Sequence, residues 1–207
     1  MRSSTDPPEQ GRRRPFEWEE RYQRGDTPWD RGSPSPIALR LVGERSEPPA
    51  RILVPGCGRG HEVLALARLG HRVTALDLAP TALADLAARR DGTEEPIEII
   101  EGDFLAPPAG WEGRFDLIVE HTCYCTLPPE EVDEYVKAAA TLLRPGGEVL
   151  GAFMHFEGGG PPYGTDPERL RAAFEEGRFE VVRIAEAKER FGPADREQLE
   201  GVFRRRE

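Results

Sequence analysis

Cysteine is scarce in this sequence. There are three, Cys57, Cys123 and Cys125, and they form no CxxC pair. That is too few for a disulfide framework, so the thiols are expected to be reduced and the protein cytoplasmic. Long apolar runs are missing as well: none approaches the roughly 18 residues of a membrane span. The opening stretch MRSSTDPPEQGRRRP has no apolar core of the kind a secretory signal carries, so no such signal is expected. Positive charge is also in deficit, with 28 Lys and Arg against 38 Asp and Glu and a formal net charge of −10. A nucleic-acid partner needs a basic face, and this balance argues against one. The basic clusters Arg12–Arg14 and Arg204–Arg206 sit at the chain ends and are too short to reverse it. No internal repeat is visible.

What is present suits one domain. A chain of 207 residues, 38% hydrophobic, can bury a sizeable single core. Residues 1–14 hold Pro, Ser, Arg and Gln without periodicity and are expected to be disordered, leaving 15–207 as the domain. Its most informative stretch is Arg51–Glu62, RILVPGCGRGHE. Ile52–Pro55 reads as a buried strand, Gly56–Gly60 as a tight turn, and Val63, Leu64, Leu66, Ala67 and Leu69 as a helix period. The same alternation continues. Strands are predicted at Arg72–Leu76, Ile97–Ile100, Phe115–Val119, Glu148–Phe153 and Glu180–Ala185, with a seventh at Gly201–Arg205. Helices are predicted at Phe16–Arg24, from Ile37, at Ala79–Arg90, at Pro129–Leu143 (stopping at Pro145-Gly146-Gly147) and at Asp166–Glu176. Strands alternating with helices imply an α/β, Rossmann-like fold, a mainly parallel sheet with helices on both faces.

In such a sheet, ligands lie across the carboxyl ends of the strands. The polar residues there form a series: the glycine turn, then Asp77, Asp103 and Glu120. Asp77 lies close to the ~20-residue gap at which an acid meets ribose hydroxyls. It would alternatively cap the helix near Ala79, and Gly102-Asp103 is also ordinary turn chemistry. The glycine spacing is GxGxG, with His61 where the dinucleotide fingerprint has its third glycine. That departure favours a ligand with ribose and adenine but no pyrophosphate, and S-adenosylmethionine fits. An NAD-dependent oxidoreductase remains the alternative enzyme, and a non-catalytic S-adenosylmethionine-binding module the alternative of another class.

These residues carry a resemblance. Pro55–Gly60 with Asp77 resembles the class I methyltransferases. Trp18, Tyr22 and Gly25–Asp30 (GDTPWD) are similar to the opening of the thiol/halide and thiopurine S-methyltransferases. So are Phe115–Pro128 (FDLIVEHTCYCTLP), the loop Gly158–Gly164 (GGGPPYG) and the arginine-rich tail Arg190–Arg206. The likeness implies a seven-stranded sheet with an antiparallel last strand and S-adenosylmethionine as cofactor. It further implies that Trp18, Tyr22 and Trp29 close over the cofactor, with Gly56, Asp77, Asp103, Phe104 and Glu120 lining its site. Cys57, Gly58 and Leu78 complete the expected set. The sequence departs from the plant enzymes at His121 and Tyr22.

A sulfonium is attracted to aromatic faces and to carboxylate, and its methyl is already activated. The enzyme therefore has mainly to hold a small soft acceptor (thiol, thiopurine, halide or chalcogen species) in line and exclude water. Tyr124, His155 and Tyr163 are expected to form the acceptor pocket, under a lid at residues 155–164. No catalytic residue is assigned. His121 could take a proton from a thiol, although soft thiols need little help. A metal held by Cys123, Cys125 and His121 would lack a fourth ligand, so no metal is expected. Cys123 and Cys125 should face away from Tyr124 if that stretch is extended. His61 and His71 are expected at the surface near helix ends. A monomer is expected.

Overall fold

The computed structural model describes residues 15–90, 96–189, 191, 192 and 197–207; the expectation for residues 1–14 lies outside them. Two helices, α1 (Pro15–Arg24) and α2 (Pro36–Arg45), precede the sheet. Then come β1 (Arg51–Pro55), α3 (His61–Arg68), β2 (Arg72–Asp77), α4 (Pro80–Arg89), β3 (Ile97–Glu101) and β4 (Phe115–His121). After these follow α5 (Val132–Leu142), β5 (Leu143–His155), α6 (Pro167–Glu176), β6 (Phe179–Glu186) and β7 (Glu197–Arg205). The strand order is β3-β2-β1-β4-β5-β7-β6. Strands β1 to β5 pair in parallel, and β7 runs antiparallel between β5 and β6. The order reverses between β1 and β4, which sets the crevice there.

Both faces of the sheet are covered, so β1 and β2 are buried except at their first residues. One face is aliphatic: Ile37 and Leu41 of α2 and Val63 and Leu66 of α3 pack on Ile52, Val54 and Leu117. Each such side chain contributes about 1.5–3 kcal/mol by leaving water. The other face is aromatic, built from Phe115, Phe153, Phe174, Phe179 and Phe203 with Tyr124 and Tyr135. Phe174 and Phe203 stack at 3.7 Å and 10°, worth about 0.5–1.5 kcal/mol beyond burial. Two helix starts follow local chemistry closely. Ser35 and Asp166 accept backbone N–H groups from Ala38 and from Glu168 and Arg169, and a proline follows each cap.

The structure departs from expectation at five points. The helix predicted over Pro129–Leu143 is a 3₁₀ turn at Pro129–Glu131 followed by α5. Its predicted stop, Pro145-Gly146-Gly147, lies inside β5, at a register shift between the Phe115–Leu143 and Leu117–Glu148 pairings. A proline there interrupts no ladder bond that a bulge had not already broken. β7 starts at Glu197 rather than Gly201, because its early polar residues conceal a buried strand. Glu200 is buried only because Arg40 and Arg183 both pair with it. His71 is 2% exposed rather than at the surface, its Nδ1 accepting from Ala50 N–H at 3.3 Å. Burial holds its imidazole below the usual range. His61 is half-buried and bonds Asp30 at 2.9 Å.

Candidate active site

A cavity of about 360 Å³ opens at the carboxyl ends of β1 to β5, within the size range of small-ligand sites. Its floor begins with the turn after β1. Gly58 and Gly60 hold φ of +52° and +73°. A Cβ on Gly58 would lie 2.7 Å from the Tyr22 hydroxyl, and one on Gly60 would lie 2.3 Å from Leu86 Cδ1. Only glycine tolerates both the left-handed backbone and that approach. Gly60 is also the N-cap of α3, so the turn hands the chain directly to the helix.

Asp77, the last residue of β2, lines the cavity next to Leu78. Its Oδ2 accepts from Gly58 N–H at 2.7 Å and its Oδ1 from Ala79 N–H at 2.9 Å. The carboxylate thus closes the turn into α4, and each oxygen keeps a second lone pair. Burial raises the Asp77 carboxyl above its ordinary range, and these backbone donors offset only part of the rise. Asp103 behaves similarly: Oδ1 accepts from Leu105 N–H at 2.8 Å, closing a turn, while the residue lines the cavity with Phe104. Over this half stand Trp18, Tyr22 and Trp29, also lining residues. Trp29 donates to the Tyr22 hydroxyl at 3.1 Å and meets Trp18 edge-on at 5.4 Å.

The half under β4 and β5 differs from expectation. Glu120 is 1% exposed and sits behind the wall. It accepts from Cys123 and Tyr124 N–H at 2.9 and 2.8 Å, and from the Tyr135 hydroxyl at 2.7 Å. Burial raises its carboxyl above the ordinary range. It thereby caps the 3₁₀ turn Tyr124–Thr126 and is not among the residues that line the cavity. Because this stretch turns instead of extending, Cys123 and Cys125 line the cavity. Tyr124 points into the aromatic core, edge-on to Tyr135 and Phe153, where burial pushes its phenol up to about 12. His155 and Tyr163 also lie off the wall. His155 donates from Nδ1 to the Thr165 carbonyl at 2.8 Å, and Tyr163 N–H donates to the Cys125 carbonyl at 2.6 Å. Cys57 is buried under the glycine turn, its N–H on the Leu76 carbonyl, and Gly58 reaches the site through Asp77.

The structure instead brings His121, Thr126, Leu127, Met154, Pro161, Pro162 and Phe191 to this half; Arg21, which lies over the Trp29 ring, and Arg31 also line the cavity. His121 was weighed from sequence; its partner Glu62 was not. The His121 Nδ1 lies 2.9 Å from Glu62 Oε1. Phe191 stands alone as an apolar residue after Lys188 and Glu189, which is the signal that marks it in the sequence. A second cleft, at the amino ends of β1 to β3, is lined by Arg51, Arg72 and Arg114. Arg51 is already paired with Asp116 and Arg114 with Glu98, and α/β sheets do not place their ligands at that end.

Comparisons with known proteins bear on the family and the fold. The family profile described as Thiopurine S-methyltransferase matches residues 13–207. A probable thiol methyltransferase 2 of Arabidopsis thaliana is 32% identical over 183 residues, covering 85% of this chain and 79% of that protein. A thiopurine S-methyltransferase of Vibrio cholerae is 26% identical over 161 residues, covering 68% and 71%. Among solved structures, the 1,6-didemethyltoxoflavin-N1-methyltransferase of Burkholderia thailandensis, with S-adenosylhomocysteine bound, superposes with a TM-score of 0.76. It is 23% identical and covers 93% of this chain and 87% of that one, which establishes the shared fold.

Proposed function

The chain belongs to the thiopurine S-methyltransferase family, and from that premise we propose that its cavity holds S-adenosylmethionine across β1 to β3 and a small acceptor under β4 and β5. It is an S-adenosylmethionine-dependent methyltransferase of small sulfur-type acceptors. Family membership displaces the nicotinamide alternative.

The observation that carries the assignment is the buried Asp77 carboxylate beside a turn whose glycines leave bare backbone. A ribose diol donates two hydrogen bonds, and a carboxylate in that position accepts both. Gly56 with Leu78 and Phe104 would take the adenine, and Trp18, Tyr22 and Trp29 would shelter the sulfonium end, where aromatic faces attract the cation. Bound there, the cofactor supplies an activated methyl group. The protein's own task is to place the acceptor in line and to keep water away. Met154, Leu127, Pro161, Pro162 and Phe191 give the acceptor half an apolar lining suited to a soft sulfur nucleophile. The loop around Pro161 and Pro162 would act as the lid expected over residues 155–164, with Gly158 and Gly164 at its ends.

The test is calorimetry followed by labelled methyl transfer. S-adenosylhomocysteine should bind saturably and NAD should not, and labelled methyl should appear on hydrosulfide or a small thiol. Binding without turnover of thiols, hydrosulfide, thiopurines, iodide or selenite would leave a non-catalytic module. No described helix is long and apolar enough to cross a membrane. A cytoplasmic monomer with no nucleic-acid partner is the accompanying proposal, motivated by the reduced cysteines and net charge of −10.

A further inference from the structure

Histidine 121 ends β4, and the strand's period of two carries Leu117, Val119 and His121 onto the face covered by α3, opposite Ile118 and Glu120. There it meets Glu62 in the first turn of α3. Glu62 Oε1 accepts the Ser35 backbone N–H at 2.8 Å and lies 2.9 Å from His121 Nδ1. Burial pushes the Glu62 carboxyl up, but the hydrogen bonds from His121 and the Ser35 N–H outweigh it, so the group sits below the ordinary carboxylate range. The helix N-terminus favours the same charge. An ionised acceptor fixed in this way selects the His121 tautomer with its proton on Nδ1 and leaves Nε2 as the free base. The ring lines the cavity, with Phe191 at 5.4 Å. The next residue, Thr122, holds φ +70°, and its hydroxyl donates to the His121 carbonyl at 2.6 Å. A β-branched residue in that region is strained, and such strain concentrates where geometry is held for function.

We infer that His121 is a general base for the acceptor, that Glu62 is its positioning residue, and that the acceptor is therefore a thiol that still carries its proton at neutral pH. This rests on the methyltransferase reading above. The step is a proton transfer. The S–H bond breaks, its electron pair stays on sulfur as the attacking thiolate, and the proton goes to His121 Nε2. The resulting imidazolium is paired by Glu62 and releases its proton to solvent after product leaves. A halide or thiocyanate has no proton to give and gains nothing from this arrangement.

The experiment compares His121→Asn and Glu62→Gln with the unaltered enzyme on two thiols. One is an aliphatic thiol such as 2-mercaptoethanol, and the other is 4-nitrothiophenol, which is already ionised at neutral pH. On the aliphatic thiol kcat/KM should fall by about 100-fold for His121→Asn, at the lower end of general-base effects, and by at least about tenfold for Glu62→Gln. On the ionised thiol both variants should stay within about twofold, and S-adenosylhomocysteine affinity should not change. A readout apart from turnover is the near-ultraviolet thiolate band of an aliphatic thiol bound with S-adenosylhomocysteine, which should appear in the unaltered protein and vanish in His121→Asn. Equal losses on both thiols, or no loss on the aliphatic one, would overturn the base. If Glu62→Gln does not fold, His121→Asn decides alone. An unaltered enzyme that methylates no sulfur acceptor would overturn the methyltransferase reading with it, whereas brisk turnover with equal losses overturns the base only.

Discussion

The two halves of the cavity are made in different ways. The half at β1 to β3 comes from a short continuous motif: Gly56–Gly60 and Asp77 are joined by one helix and one strand, and Asp77 ties them together through Gly58 and Ala79. The half at β4 and β5 is assembled from four separated pieces, the turn after His121, Met154, the prolines at 161 and 162, and Phe191. In the first half the floor is a glycine turn tied to one carboxylate, with Trp18, Tyr22 and Trp29 standing over it. In the second, side chains from distant segments make the wall, so a substitution there reshapes the pocket without touching the fold. The contrast suits a protein that must keep one ligand constant while its acceptor can vary.

The largest expected effect is a single methyl group in the continuous half. Gly60→Ala forces a side chain into the left-handed region, about 1–2 kcal/mol, and drives a Cβ to 2.3 Å from buried Leu86, with overpacking costing about 1–3 kcal/mol. Thermal unfolding should move down by roughly 2–4 °C per kcal/mol lost, and S-adenosylhomocysteine affinity should fall along with it. A variant with unchanged melting temperature would mean that the turn is not the rigid element described, and the contrast between the halves would lose its basis.

Next in size is Asp77→Ala. Losing charge-assisted bonds costs about 1–3 kcal/mol, so S-adenosylhomocysteine should bind roughly 5- to 150-fold more weakly by calorimetry. The acceptor KM at saturating cofactor should hardly move. Equal damage to both would show that the halves are one coupled unit.

How far each half was legible follows from the same difference. Strand, glycine turn and terminal acid are local signals read from one segment, and the sheet built on them has the predicted order of elements. The wall under β4 was not legible because its geometry is decided by a turn. Read as an extended segment, Cys123–Cys125 aims Tyr124 at the ligand. Glu120, accepting two backbone N–H groups and a tyrosine hydroxyl, curls the segment instead and turns Tyr124 inward. Glu62 is illegible for a related reason: an acid in the first turn of a helix is ordinary, and only the tertiary packing on that face of the sheet brings it to His121. The start of β7 was hidden because Glu200 is charged in sequence and neutralised only by Arg40 and Arg183 in the fold.

The smallest effect sharpens the comparison most directly. Tyr124 belongs to the second half by sequence position, yet it packs between Tyr135 and Phe153 at 5.3 and 5.2 Å. Tyr124→Phe keeps the ring and removes one hydroxyl, a loss of about 0.5–1.5 kcal/mol of stability, as for one hydrogen bond. Acceptor KM, kcat and S-adenosylhomocysteine affinity should all stay within about twofold, under 0.5 kcal/mol. Phe191→Ala, which opens the wall, should instead raise acceptor KM with little change in melting temperature. If the tyrosine variant moved KM and the Phe191 variant did not, the acceptor would lie on the other side of the turn. The wall would then be the one that an extended Cys123–Cys125 segment predicts.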